Sequence, residues 1–160
     1  MPRGDVCDRL SQILYQLSAR YGAPEFSPHV TLLGACVGPR RELIRKAARV
    51  AAALRPFVIR LEHIDFCDEY FRCLFVHAAL TMPLRKAYQA ACREFGHGRE
   101  PAFMPHLSLL YGNFPRSLKE EVMAEMRPRL EIQFKVRSLH LCRTNGEPRH
   151  WRRVASFGLK

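Results

Sequence analysis

Two short segments of this 160-residue chain carry the same set of proton-moving side chains. Residues 28–34 read Pro-His-Val-Thr-Leu-Leu-Gly, and residues 105–112 read Pro-His-Leu-Ser-Leu-Leu-Tyr-Gly. Each holds a histidine, then an apolar residue, then a hydroxyl residue. With 7 histidines in the chain, composition alone predicts roughly 0.4 such triplets, so two copies inside a longer shared pattern point to an internal repeat. Along a strand, residues i and i+2 project to the same face. His29 and Thr31 therefore share a face, as do His106 and Ser108, while Val30 and Leu107 turn towards a core. Imidazoles titrate near neutral pH and can give or take a proton. Hydroxyls can hydrogen-bond phosphoryl oxygens. Two histidines flanking a phosphorus atom can serve attack and departure in line, with no metal. The copies lie 77 residues apart, which suggests two similar lobes about a pseudo-two-fold axis.

The other reactive residue types form no motif of this kind. His63, His77, His97, His140 and His150 lack the pattern and read as structural or surface residues. The histidines show no H-E-x-x-H and no close pairing, so no metal site and no cofactor is called for. Cys7, Cys36, Cys67, Cys73, Cys92 and Cys142 include no C-x-x-C pair and read as free thiols of a reducing compartment. The formal charge of +11 suits phosphates, nucleotides or RNA as ligands, with Arg143, Arg149 and Arg152 as candidate anion contacts near the end of the chain. No apolar run approaches a membrane span, and Arg3 and Asp5 interrupt any signal-like start, so a cytoplasmic protein without membrane contact is expected.

These residues need elements to hold them. A length of 160 residues with 48% apolar and 26% charged residues describes one globular domain, residues 1–160. Val6, Leu10, Ile13, Leu14 and Leu17 share one face of a helix over 5–21, capped by Asp5 and ended by Gly22. Residues 28–34 read as a short strand. A second helix runs from about Pro39 to Leu54. Strands follow at 57–66 and 70–79 as a hairpin, then a helix at 82–95 ended by Gly96 and Gly98, then a strand over Pro105–Gly112. Ser117 and Glu120 form a capping box for a fourth helix. Two strands at about 131–143 and 150–159 close the chain. The apolar phase changes near Arg137–Ser138, which predicts a bulge or bend, and Thr144-Asn145-Gly146 starts the intervening turn. Helices and hairpins mixed in this order indicate an α+β fold.

The paired motifs resemble the signature of the 2H phosphoesterase superfamily, which includes LigT-like RNA 2′,5′ ligases and cyclic phosphodiesterases. The string Phe103-Met104-Pro105-His106-Leu107-Ser108-Leu109-Leu110-Tyr111 is most similar to the plant and fungal-type cyclic nucleotide phosphodiesterases, as is Leu141-Cys142-Arg143-Thr144 followed by Trp151 and Val154. The resemblance covers about residues 5–158. It implies a bilobal fold whose antiparallel sheets face a central cleft. It implies metal-independent hydrolysis of ribose cyclic phosphates, with ADP-ribose 1″,2″-cyclic phosphate and nucleoside 2′,3′-cyclic phosphates as typical substrates. His29 and His106 would be the acid–base pair, Thr31 and Ser108 the phosphate binders, and Tyr111 part of the substrate pocket. Alternation sets Tyr111 on the face opposite His106, so its role requires the strand to bend or end first. Family members usually carry a strand before the first helix. Here that helix begins at about Asp5, so a first lobe short of one strand, or a chain read from an internal start, is expected.

Two other readings remain open on the residues. One keeps the fold but changes the reaction to RNA 2′,5′ ligation or RNA end processing, which the positive charge suits. The other is a non-catalytic nucleotide- or RNA-binding module, which would have no need of two matched proton-transfer groups. The expected partner is a small cyclic phosphate or nucleotide, with RNA as the alternative and no obligate protein partner.

Overall fold

The computed structural model describes residues 1–96, 103–126 and 132–160. Gly98 and His97 lie outside these residues, as does position 131 at the start of the penultimate expected strand. Among the described residues the order is α1 (Gly4–Tyr21), α2 (Arg40–Ala52), β1 (Phe57–Asp65), β2 (Leu74–Ala78), α3 (Met82–Phe95), β3 (His106–Leu110), α4 (Arg116–Met126), β4 (Gln133–Val136), β5 (Ser138–Arg143) and β6 (Arg152–Gly158). The fold is α+β, with strands paired antiparallel in two sheets of unequal size. One runs β3-β2-β1-β4 and the other is the hairpin β5-β6.

The chain passes from the larger sheet to the smaller at Arg137, between β4 and β5. That is where the apolar phase was expected to change. The larger sheet buries one face. Ile59, Leu61 and Ile64 of β1, Val76 and Ala78 of β2, and Leu107 and Leu109 of β3 pack with Leu10, Ile13, Leu14 and Leu17 of α1 and Val122 and Met126 of α4. A second cluster joins Val50 and Leu54 to Ala87 and Ala91 of α3, with Leu139 of the small sheet against it. Side chains this deeply buried contribute roughly 1.5–3 kcal/mol each by leaving water.

Several local expectations are corrected. Residues 28–34 form no strand; they make one antiparallel bridge, Val30 to Leu107. Pro28 has no N–H to donate, and Leu33 packs on the second cluster while Leu32 touches both clusters, so the ladder stops after one rung. The expected strand over 70–79 begins late, because Tyr70–Arg72 curl into a 3₁₀ turn ahead of β2. The Ser117–Glu120 capping box does not form. The helix starts one residue earlier, Lys119 N–H bonds to the Pro115 carbonyl, and Glu120 accepts from Arg116 at 2.8 Å. Asp5 lies in the first turn of α1 without capping it, where its charge complements the helix dipole. Gly22 and Gly96 end their helices in left-handed conformations as expected. All six cysteines are free thiols. No helix among the described residues is long and apolar enough to cross a membrane.

Candidate active site

The single bridge between Val30 and Leu107 sets the geometry. Residues directly opposite in an antiparallel pair point to one face, and their flanking neighbours point to the other. Val30 and Leu107 turn towards the core. His29, Thr31, His106 and Ser108 are therefore gathered on the opposite face, with the two motifs running antiparallel. The repeat in the sequence becomes a near-symmetric constellation even though only one copy sits on a regular strand.

The symmetry extends to hydrogen bonding. His29 Nδ1 lies 2.7 Å from the Ser27 carbonyl, and His106 Nδ1 lies 3.0 Å from the Met104 carbonyl. Each imidazole thus bonds the carbonyl two residues before itself. A carbonyl only accepts, so Nδ1 carries the proton and Nε2 is the atom that takes or gives one. Both rings are partly buried. Burial lowers the His29 pKa below the ordinary histidine value, against the opposing pull of the Ser27 carbonyl. Burial also lowers that of His106, helped by the nearby Arg72, His29 and His77 and opposed by the Met104 carbonyl.

The hydroxyls differ. Thr31 is exposed, whereas Ser108 is buried and donates to the Phe71 carbonyl at 3.1 Å. Tyr111 joins the site because the condition set by strand alternation is met. The register slips between Leu74 and Phe75 opposite Ser108–Leu110, and β3 ends at Leu110. The Tyr111 phenol, pushed up to about 12 by burial, lies beside the Ser108 hydroxyl. Its ring stacks on Phe26 at 3.8 Å between centroids.

An aromatic frame surrounds His29, and sequence reasoning did not assign it. Trp151 lies 6.2 Å from the His29 ring, 5.7 Å from Phe71 and 5.9 Å from Tyr111, while Phe26 lies 6.3 Å from His29. On the other side, Phe75 meets His106 edge-on at 5.2 Å. Phe71 is about half exposed, which leaves an apolar wall open to solvent. Single aromatic residues carry no spacing signal; only the fold gathers these from three separate loops and one strand.

The basic candidates are placed less uniformly. Arg143 and Arg152 stand directly opposite each other across β5-β6, both exposed. Arg149 is paired with Glu147 at 2.7 Å. Arg72, close enough to His106 to influence it, bonds Glu69.

A family model described as the 2'-5' RNA ligase superfamily matches residues 5–148. The chain belongs to this superfamily. Membership in the 2'-5' RNA ligase superfamily agrees with the two His-x-Ser/Thr motifs, and the matched span includes both. Among curated proteins, the chain is 23% identical to a protein of Arabidopsis thaliana named cyclic phosphodiesterase, over 99% of this chain and 92% of that one. Among solved structures, it is similar to TT0787 of Thermus thermophilus, with a TM-score of 0.59, 19% identity, and coverage of 97% of this chain and 92% of the other. This likeness shows a shared fold over nearly the whole chain.

Proposed function

We propose that the protein hydrolyses ribose cyclic phosphates, opening nucleoside 2′,3′-cyclic phosphates to 2′-phosphates and acting on ADP-ribose 1″,2″-cyclic phosphate. The observation that carries this reading is the matched Nδ1 bond of His29 and His106, which supports Nε2 of both rings as the proton-transfer atom. The plant relative named cyclic phosphodiesterase supports the substrate class. One neutral imidazole takes a proton from water as the water oxygen bonds to phosphorus. The other, protonated on Nε2, gives its proton to the ribose oxygen as the P–O bond breaks. The proton count balances, and the pair ends with its roles exchanged. Thr31 offers an exposed hydroxyl to a phosphoryl oxygen. The wall of Phe26, Phe71, Tyr111 and Trp151 suits the faces of a base or a ribose. Arg143 and Arg152 would hold a second phosphate away from the scissile bond.

The test is a screen of chelator-treated protein against ADP-ribose 1″,2″-cyclic phosphate, nucleoside 2′,3′-cyclic phosphates and short RNAs. Turnover of the cyclic phosphates, undiminished by chelator, is the expected result. Turnover lost in chelator and restored by a divalent ion would overturn the two-histidine mechanism. One observation favours the RNA reading: Arg143 and Arg152 stand exposed and opposite each other across β5-β6, where they could contact further phosphates of a strand. Joining or trimming of RNA ends without cyclic phosphate hydrolysis would establish that alternative.

A further inference from the structure

The face of the larger sheet that carries His106 continues beyond it. His77 of β2 stands directly opposite His106, and Phe75 stands opposite Ser108. On β1, Asp65 is opposite Phe75, whereas the register slips between Leu61 and Ile64, so Glu62 and His63 together face His77. That bulge adds one residue to β1. It sets His63 next to His77, their rings stacked at 4.3 Å between centroids, and keeps His63 two residues from Asp65. Asp65 Oδ2 lies 3.3 Å from His77 Nε2, while Oδ1 accepts from the Phe66 amide at 2.8 Å. One ligand atom from each of His63, Asp65 and His77 falls within 4.8 Å of the others.

We propose that His63, Asp65 and His77 form a binding site for a divalent transition-metal ion on the sheet face beside His106. Two imidazoles and one carboxylate are a donor set that suits Zn²⁺, Co²⁺, Ni²⁺ or Cu²⁺. It does not suit Mg²⁺ or Ca²⁺, which prefer all-oxygen shells. The site is outfitted for binding in two respects. The amide bond to Oδ1 orients the carboxylate with Oδ2 towards His77, as outer-shell bonds do in metal sites. His63 and Asp65 are exposed, so their side chains can turn from the ring stack to converge on an ion and leave coordination positions open to water or an anion. The inference is independent of the proposed hydrolysis, whose two histidines lie outside the set.

The experiment is calorimetric titration of the full, chelator-stripped chain with Zn²⁺, and separately with Mg²⁺, alongside the variants His63→Gln, Asp65→Asn and His77→Gln. Thermal melting of each variant without metal verifies folding. One bound Zn²⁺ per chain is expected, with no Mg²⁺ at equal concentration. Each substitution should weaken Zn²⁺ at least about tenfold, the loss that removing even an outer-shell partner of a ligand brings. Because six free thiols could bind zinc, Co²⁺ absorption supplies a readout that does not depend on the variants. The expected spectrum lacks the intense sulfur-to-metal charge-transfer band. Absence of Zn²⁺ binding, affinity unchanged in all three variants, or a thiolate-dominated Co²⁺ spectrum would each overturn the site.

Discussion

Both imidazoles sit in surroundings that disfavour their charged form, and this fixes where the free enzyme is most competent. The proposed mechanism needs one ring neutral and the other protonated, so kcat/KM should follow the product of those two fractions and peak between their pKa values. The free rings titrate near 6.5. Burial lowers both, with Arg72 adding to the effect at His106, so the maximum is expected on the acid side of that value. Above it, the general acid is progressively deprotonated and the rate falls tenfold per pH unit. From about pH 6.5 to 8.5 kcat/KM should drop roughly 100-fold. A bound phosphate reverses part of the shift, because its negative charge favours both imidazolium forms. The decline in kcat should therefore begin at higher pH than the decline in kcat/KM. His29→Ala and His106→Ala should each lose roughly 10²- to 10⁴-fold, about 3–5 kcal/mol of barrier, and each should erase one limb of the profile, which assigns acid and base. The double variant should be little worse than either alone, since the pair acts as a unit. Initial rates on a nucleoside 2′,3′-cyclic phosphate at constant ionic strength measure all of this. A kcat/KM that stays flat to about pH 8.5, or near-normal turnover by either alanine variant, would refute the reasoning.

The two hydroxyls should separate function from stability. Thr31→Val is expected to lower kcat/KM with little change in melting temperature, whereas Ser108→Ala strands the Phe71 carbonyl and should cost about 1–3 kcal/mol in denaturant unfolding. His140, whose pKa burial and nearby positive charge hold at about 4, resists a proton that the unfolded chain accepts from about 6.5 downwards. Stability should therefore fall as pH drops through that window, by about 1–2 kcal/mol after solvent screening, and His140→Asn should flatten the melting temperature over the same range. Gly112→Ala should destabilise by about 1–3 kcal/mol, since Gly112 has φ 145° and an added Cβ would lie 2.5 Å from the Phe114 ring. A crystal structure of that variant should show Phe114 displaced.

The helices were readable because their signals are local. Leu10, Ile13, Leu14 and Leu17 repeat at helical spacing, and Gly22 marks the stop. The two motifs were readable because a duplicated pattern rises above composition, and the fold places all five residues named from them in one region. What the sequence concealed depends on long-range pairing. Nothing local in residues 28–34 shows that only Val30 finds a partner, because the limit comes from Leu33 turning to the second cluster. The Ser117–Glu120 box satisfied a pattern, but Arg116 claimed the glutamate. Phe26, Phe71, Phe75 and Trp151 surround the histidines through tertiary packing alone. The His63–His77 neighbourhood required a bulge that alternation in β1 did not announce.

The Val30–Leu107 bridge has a mechanical consequence. It joins the two halves of the proposed acid–base pair through one backbone rung, so the span between the imidazoles follows from ladder spacing and not from how the two sheets dock. Trp151 enters the site from the other sheet, at the foot of β6. A shift of the β5-β6 hairpin would therefore move Trp151 without altering the rung that joins the two motifs, so the aromatic wall and the proposed proton-transfer pair are positioned by different parts of the fold.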